Sequence, residues 1–487
     1  MSRWLSAAML AVGIAAAAAA QQTAAVPPPN DAVVQYYRAV MSAGGTQAVL
    51  QAVTQAVLEA LKQGPMTPEA AQQALAGGAV AANVTAAASA PAPAILPKTW
   101  ADYVTLKGDI RYRVETITDD SKPDKNKNNT PYTRQRDRIR ARLGADVKVN
   151  DNIKAVLRLT TDEAATVGGG GDPISGNQTL GGGSSKKGVY LDAAYFDWNF
   201  FGEGTSELHG LAGKMDNPFL TMNDDLVWDP DVTPEGVALK GTLDLAPVTL
   251  LGNLGCFWIA ERDAKDPLTL LAGQGAARIE FMPEIALTLG ASLYSFQNVA
   301  GNDVIDYKYD GTYERAVNLP LGKTNYPSGY GNSVKKSFNP AKDAAPRAVY
   351  ACGYNVAEPF ARLDVWPTVF GRVVPVSAFG QYIQNLQITD NNQGYMYGLS
   401  IGKAKNPGTF EVGASYARIE KDATLGLWTD SDRWGGGTDG EGYKLYAKYQ
   451  ILKGLQAGLT YFADEKPTSS GPTHGYNRMQ ADLVASF

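Results

Sequence analysis

The feature that most constrains the fold is an alternation of apolar and polar residues that begins near Val104 and recurs to the end of the chain. In residues 153–160, every second position is apolar, and Lys154 and Arg158 lie between the apolar positions. The same period of two recurs in segments 285–293, 443–451 and 455–463. Because successive side chains of a strand point to opposite faces, each segment predicts a strand of about ten residues with one apolar and one polar face.

The first twenty residues form a segment of a different kind. Arg3 precedes an alanine-rich apolar run that ends before Gln21, which predicts a signal peptide cleaved after Ala20; an uncleaved anchor helix is the alternative. No later segment has about 18 consecutive apolar residues, so a bundle of transmembrane helices is excluded. Only helices and closed barrels satisfy every backbone group in lipid, so strands that cross a membrane must close into a barrel.

Residues 21–98 differ in composition from both neighbours. Leu50, Val53, Val57 and Leu61 recur at helical spacing, and Thr67 with Pro68 resembles the start of a second short helix. A Pro/Ala linker follows over 88–97. We expect a small N-terminal helical segment in the periplasm, which is either a coiled coil or spacer, or a loosely packed hairpin with no partner.

The connections between the predicted strands alternate in length. Short ones lie near 150–152, 201–205, 246–247, 282–284, 367–371, 404–407 and 452–454. Long ones lie near 118–131, 163–187, 215–234, 260–274, 298–352, 387–393, 420–440 and 465–475. Short turns on one rim and long loops on the other are typical of outer-membrane barrels. The pattern predicts an all-β, transmembrane antiparallel β-barrel of about sixteen strands over 99–487.

The carboxyl end predicts how the barrel closes. The last strand, 476–487, places alternate apolar residues on one face and stops at Phe487. A closing strand with an aromatic residue at the membrane interface explains such an end.

Several segments together resemble the trimeric, sixteen-stranded general porins of Gram-negative bacteria, and more closely a family described as "putative porins". They are GDIRYRVET (108–116), RQRDRIRARLGADVKVN (134–150), YLDAAYFDWNF (190–200), GKMDNPFL (213–220) and the terminal Phe487. The resemblance implies a location in outer-membrane lipid, a homotrimer, insertion by the outer-membrane assembly machinery, and passive diffusion of small hydrophilic solutes and ions.

Basic residues concentrate on one face of the first three barrel strands. The second strand carries five arginines at alternate positions: Arg134, Arg136, Arg138, Arg140 and Arg142. Each would cost about 2–4 kcal/mol near the middle of the lipid, so this face must line water or a rim. The neighbouring strands add Lys107, Arg111, Arg113, Lys154 and Arg158. We therefore predict a basic wall in the lumen.

The third long connection is acidic. Its carboxylates are Asp216, Asp224, Asp225, Asp229, Asp231 and, at its end, Glu235. The resemblance implies that this loop folds into the lumen and sets Asp224, Asp225 and Asp229 against the arginines at 136–142, with a transverse field between them. A solvated external loop and a weak Ca²⁺ site are the alternatives.

Composition argues against several other functions. The net charge of −5 gives no sequence-wide basic footprint for nucleic acid, and two histidines and two cysteines offer little for a metal site or cofactor. Gly168–Gly188 lacks the Gly-Lys-Ser/Thr of a phosphate loop, and no Gly-x-Ser-x-Gly elbow occurs, so we predict no enzyme. A disulfide between Cys256 and Cys352 stays open. The alternatives to a general porin are a substrate-selective anion channel, a barrel-anchored structural or adhesive surface protein, and, third, a barrel-embedded hydrolase.

Overall fold

A computed structural model describes residues 99–124, 130–163, 171–222, 224–262, 266–305, 329–337, 347–468 and 471–487. The predicted signal peptide 1–20 and the predicted helices of 21–98 lie outside these residues. Within them, sixteen strands form the main sheet, together with a two-residue segment, Gln178–Thr179, that pairs beside β2.

The strands are numbered here in chain order. The first eight are β1 (Val104–Asp124), β2 (Thr130–Lys148), β3 (Ile153–Asp162), β4 (Gly188–Glu203), β5 (Ser206–Lys214), β6 (Glu235–Leu245), β7 (Val248–Ala260) and β8 (Leu268–Met282). The others are β9 (Ile285–Gln297), β10 (Tyr354–Val365), β11 (Val376–Asn385), β12 (Gln393–Gly402), β13 (Phe410–Ile419), β14 (Gly440–Leu452), β15 (Leu455–Thr468) and β16 (Gly471–Ser486). Two small hairpins lie outside the sheet, Val334–Ser337 with Arg347–Tyr350 and Thr368–Val369 with Arg372–Val373.

The sheet is closed. Each strand pairs antiparallel with the next, and β16 returns to β1, where Ile110 lies opposite Ala485. This confirms the all-β, sixteen-stranded antiparallel barrel, which leaves no unpaired edge strand.

Short 3-10 turns at Trp100–Asp102, Gly329–Gly331 and Gly426–Trp428 are the helical elements of the described residues. In this part of the chain, no helix has the length and apolar character needed to span a membrane.

The side chains have the inside-out distribution of a barrel in lipid. On β1, Leu106 and Ile110 point outward and are 60% and 56% exposed, whereas Arg113 points inward and is 5% exposed. On β2, Leu143 is exposed and Arg138 is buried. Exposed apolar and buried charged side chains place water or polar groups inside and hydrocarbon outside.

The connections follow the predicted alternation, with three corrections. Much of 118–131 and 465–475 is strand rather than loop, because β1 and β2, and likewise β15 and β16, continue pairing almost to the tips of their hairpins. Residues 268–274 also belong to a strand. They do not alternate clearly because Leu268 and Leu270 face inward and are fully buried.

This last correction reflects an apolar side of the lumen. The inward faces of β7 to β11 carry large buried apolar side chains, including Phe257, Leu270, Tyr294, Val356 and Phe379. They form one cluster with residues of the third and seventh long loops (215–234 and 420–439). The lumen is therefore packed on this side beside the inserted loops, whereas Arg278, Arg362 and Asp364 line a cavity of about 460 Å³ there. The charged side chains of β1–β3 lie on the other side.

Candidate pore constriction

The third loop (215–234) lies inside the barrel. Its Leu220 N–H donates to Gln274 Oε1 on β8 at 2.7 Å, and its Leu226 N–H donates to Gln381 Oε1 on β11 at 3.2 Å. Both glutamines project inward and are buried. The loop leaves β5 and returns to β6, so these bonds hold its middle part against strands far around the barrel.

Aromatic packing joins the third loop to the seventh loop (420–439). The rings of Trp228 and Trp428 stack with centroids 5.1 Å apart and an interplanar angle of 21°. The ring of Phe219 also stacks on Trp228, with centroids 5.8 Å apart, and Trp228 is only 1% exposed. A hydrogen bond of 2.6 Å from Asp229 N–H to the Trp428 carbonyl links the two backbones. Both loops are thus parts of one packed body in the lumen.

Asp231 connects the third loop to the wall of β1–β3. Its Oδ1 lies 3.3 Å from Arg140 Nη1 and 3.5 Å from Arg142 Nη1. Both arginines also donate to Asp109 on β1, at 3.0 Å from Arg140 and 2.7 Å from Arg142. Burial raises the pKa of Asp231, but the nearby arginines more than offset this and hold it below its usual value. Two carboxylates therefore neutralise this pair of arginines.

Asp224 lies away from the predicted arginines. It accepts from Lys444 Nζ on β14 at 2.5 Å, from Ser415 Oγ on β13 at 3.0 Å, and from Arg433 Nη2 of the seventh loop at 3.4 Å. Although burial opposes it, the charges of Lys444 and Arg433 hold the pKa of Asp224 below its usual range. The expectation that Asp224 faces the arginines at 136–142 is wrong, because Lys444 and Arg433 lie closer.

Asp225 and Asp229 bond mainly to backbone. Asp225 Oδ1 accepts from the N–H groups of Val227 and Trp228 at 2.7 and 2.9 Å, and Asp229 accepts from those of Asp231 and Ser431 at 2.8 and 2.9 Å. Burial, together with Glu358 near Asp225 and with Asp430 near Asp229, raises the pKa of both carboxyls. They shape the loop and do not face the arginines at 136–142.

The two ends of the loop bond to nearby strands. Asp216 accepts from Arg158 Nη1 at 2.7 Å, and Glu235, the first residue of β6, lies 3.0 Å from Lys214 Nζ. Of the predicted acidic set, Asp231 alone lies within 4.0 Å of an arginine of 136–142 among the described residues.

The wall of β1–β3 is mixed in charge rather than basic. The antiparallel register sets Glu115 opposite Arg136 and Asp482 opposite Arg113, and each pair forms a salt bridge. The other ion pairs of this wall are Lys107–Asp146, Lys154–Asp146, Lys154–Asp197 and Arg158–Asp192. Counting basic residues strand by strand missed these carboxylates, because cross-strand register decides which charges meet.

Three members of the predicted set differ from the others. Arg134 lies near the loop end of β2 and is exposed. Arg111 and Arg138 bond to Asn177 of the second long loop (163–187), and no carboxylate within the described residues lies within 4.0 Å of either guanidinium.

The seventh loop was not predicted to be part of the site. Its Asp432 bonds to Arg478 on β16 and lies 3.3 Å from Arg113 Nη1 on β1. Burial raises the pKa of Asp432, but these two arginines outweigh it and lower the pKa below its usual range. Two tryptophans, Trp428 and Trp434, in a polar loop were the sequence signal, since buried indoles are unusual in solvated loops.

A cavity of about 440 Å³ lies between the third loop and β2–β4. Arg140, Arg142, Asp162, Lys214 and Asp231 contribute to its polar lining. Trp258 and Trp428 contribute to its apolar side.

Phe487 closes the barrel beside β1. Its backbone exchanges hydrogen bonds of 3.1 and 3.0 Å with Gly108, and its ring is 66% exposed on the outer face. An aromatic side chain directed outward at the short-turn rim matches an interface girdle.

The two cysteines are not bonded to each other: neither Cys256 nor Cys352 forms a disulfide in this structure.

Comparisons with known proteins agree with this architecture. A model of the family described as "Putative porin" matches residues 6–365 and 349–487. A search of curated protein sequences gives no match.

Several solved structures are similar in fold. OprB of Pseudomonas putida has a TM-score of 0.46 and 12% identity, over 79% of this chain and 94% of that one. The outer membrane channel DcaP of Acinetobacter baumannii has a TM-score of 0.40 and 12% identity, over 79% of this chain and 97% of that one. The trimer form of OmpT, an outer membrane protein of Vibrio cholerae, has a TM-score of 0.38 and 11% identity, over 79% of this chain and 100% of that one.

The family match covers nearly the whole sequence, and the closed barrel agrees with it. Together they indicate an outer-membrane channel rather than an enzyme, located in a Gram-negative bacterium. The chain therefore belongs to the family described as "Putative porin".

Proposed function

We propose that this protein is a passive porin, in which small hydrophilic solutes and ions diffuse through a lumen narrowed by the third loop. The observation that carries the proposal is the position of that loop. Asp231 bonds to Arg140 on β2, while Leu226 bonds to Gln381 on β11, nearly half the barrel away in strand order. A loop held at both places crosses the lumen, so solutes pass beside it.

The packing determines on which side they pass. Apolar side chains of β7–β11 pack against the third and seventh loops on one side of the lumen, whereas Arg142 and Asp231 line the cavity on the other. Ions and polar solutes need a polar lining to replace their hydration. We therefore propose that the path runs along β1–β4.

The charge pattern of this path suggests weak selectivity. Carboxylates alternate with guanidinium groups, as in Arg136 with Glu115 and Arg140 with Asp109. Opposite charges a few ångströms apart create a strong local field but little net attraction for one sign of ion. A substrate-selective anion channel is the second candidate, because Arg111 and Arg138 have no bonded carboxylate in the described part of the sequence.

We extend the proposal to assembly. The chain forms a homotrimer in outer-membrane lipid, inserted by the outer-membrane assembly machinery through its last strand and Phe487. Residues 1–20 are removed as a signal peptide, and 21–98 form the helical periplasmic segment and linker. The exposed apolar belt and the terminal aromatic residue support the membrane and assembly parts.

Planar-bilayer conductance tests the function. Stable ohmic steps from heat-modifiable, folded protein are the expected result; their absence favours a barrel that only anchors a surface protein. Deleting 30–85 leaves the conductance intact if that segment is a spacer.

The path itself is tested by replacing Arg136, Arg138 and Arg140 with Ser. The reversal potential in a KCl gradient is expected to shift toward cations, with the exposed Arg134→Ser as the matched control. An unchanged potential places these arginines outside the narrow part.

A further inference from the structure

Two arginines of the wall form no salt bridge with any described residue. Arg113, Arg136, Arg140 and Arg142 each form a salt bridge, whereas Arg111 and Arg138 have no carboxylate within 4.0 Å in the described part of the chain. The side chain of Arg138 is nonetheless buried, at 7% exposure. A buried guanidinium without a directly bonded counter-charge is unfavourable, and a bound anion would supply one.

The two guanidinium groups meet at one residue of the second loop. Arg111 Nη2 donates to Asn177 Oδ1 at 2.6 Å, and Arg138 Nη2 donates to the Asn177 carbonyl at 3.3 Å. Asn177 is 4% exposed, and its amide Nδ2 donates to Ser175 Oγ at 3.2 Å, which orients Oδ1 toward Arg111. The arrangement is therefore built from both sides, by the strands and by the loop.

Hydrogen-bonding capacity remains at this place. The Nε–H groups of Arg111 and Arg138 are both buried and have no acceptor among the residues that the structure describes. In the register of β1 and β2, Arg111 lies opposite Arg140 and Arg113 opposite Arg138, so Arg111 and Arg138 are diagonal neighbours on the inward face. Diagonal neighbours are within reach of long side chains.

The carboxylates near these donors are bonded to other groups. Asp109 and Asp231 are bonded to Arg140 and Arg142, Asp482 is bonded to Arg113, and Glu115 is bonded to Arg136. Glu163 and Asp432 attract Arg138 electrostatically, but Glu163 accepts from the Thr179 N–H and Asp432 is bonded to Arg478. The planar fork of a guanidinium matches the oxygen pairs of carboxylate and phosphate groups. The guanidinium groups of Arg111 and Arg138, held together by Asn177, therefore suit a single small oxyanion.

We infer that Arg111, Arg138 and Asn177 form a binding site for a small oxyanion, the carboxylate or phosphate group of a permeating solute. The inference deepens the proposed function, since it rests on a lumen that solutes enter. The site retains an anion briefly on its way through, and paired arginines such as Arg136 do not.

Channel block by inorganic phosphate tests the site. At constant ionic strength, phosphate is expected to reduce the chloride current of the wild-type channel in a saturable manner. Arg111→Gln and Arg138→Gln are each expected to raise the half-blocking phosphate concentration about tenfold, because each removes charge-assisted hydrogen bonds.

Arg136→Gln is the matched control. It removes the same charge from the same strand face, but from a guanidinium bonded to Glu115. If the half-blocking phosphate concentration rises equally in this variant, only the overall electrostatic field attracts phosphate. That result contradicts a specific site at Arg111 and Arg138.

Thermal unfolding in detergent separates the site from the channel. At fixed ionic strength, phosphate or acetate is expected to raise the wild-type midpoint relative to chloride, and Arg138→Gln to abolish this increase. An increase with phosphate alone indicates phosphate recognition, and an increase with acetate alone indicates carboxylate recognition. If neither anion raises the midpoint, the inference is contradicted.

This measurement does not depend on conduction. If the protein shows no channel steps but is stabilised by the anion, the porin proposal is refuted and the anion site is not. If Arg138→Gln does not fold, Arg138→Lys keeps the charge without the fork and is expected to lose most of the stabilisation.

Discussion

Asp231 and Arg140 are 91 residues apart in sequence, yet the Asp231 carboxylate lies 3.3 Å from the Arg140 guanidinium across the interior of the barrel. One residue belongs to the third loop and the other to β2. Arg140 also bonds to Asp109 on β1, so the loop is held to a hairpin that is part of the barrel itself. The rigid strands therefore fix the loop at the point where we propose that the pore is narrowest.

Replacing Asp231 by Asn is expected to make the channel more anion-selective. The change leaves Arg140 and Arg142 with only Asp109 as a counter-charge, so the local potential becomes more positive. The reversal potential in a KCl gradient measures this shift.

Asp216→Asn is the control for that measurement. It removes one carboxylate from the same loop, but Asp216 is bonded to Arg158 and its side chain is 48% exposed. If both variants shift the potential equally, Asp231 has no special place in the path.

Trp228→Ala is expected to loosen the third and seventh loops together. It removes the ring that stacks on Trp428 and lies beside Phe219, and such a buried truncation costs about 3–5 kcal/mol. We expect a lower unfolding midpoint and noisier single-channel current. Trp198→Ala, on the outward face of β4 and 39% exposed, is expected to leave the current noise unchanged.

Much of the barrel could be predicted from the sequence, because lipid imposes a simple rule on its outer face. Wherever the inner face is polar, as on β2 and β3, the period of two reveals the strand. Towards the long loops, the inner faces of β8 and β10 are apolar as well, since Leu270 and Val356 pack against the inserted loops. There the alternation disappears, and the predicted start of β8 was wrong.

The constriction was less predictable. Strand periodicity shows that Arg136 points into the lumen, but only the register shows that Glu115 lies opposite it. The position of Asp224 beside Lys444, 220 residues away in sequence, depends on how two loops pack against each other. Such long-range pairing leaves no local pattern in a single sequence.

Acid is expected to release the seventh loop from the wall. Asp432 is bonded to Arg478 and lies near Arg113, and its pKa is lowered in the folded protein. Because the pKa of Asp432 is lower in the folded protein than in the unfolded chain, where it is about 3.9, its ion pairs stabilise the fold fully above that pH. This stabilisation is lost as the pH falls through the pKa of the folded protein. The change in tryptophan fluorescence that protonation of Asp432 causes is therefore expected only below about pH 4.

Asp432→Asn provides the comparison. It is expected to release the loop at neutral pH and to remove this acid transition. A transition that persists unchanged in the variant would assign it to other carboxyls of the lumen.

Barrel closure is expected to depend on Gly108. A Cβ atom at this position would lie 2.4 Å from the Arg142 carbonyl oxygen and 2.8 Å from the ring of Phe487, so any side chain must displace either β2 or the terminal aromatic residue. We expect Gly108→Leu to lower the yield of folded, heat-modifiable barrel, and deletion of Phe487 to do the same. Gly275→Ala on β8, whose added Cβ meets nothing within 4 Å, should fold like the wild type. Normal folding of Gly108→Leu would show that the first and last strands close without this contact.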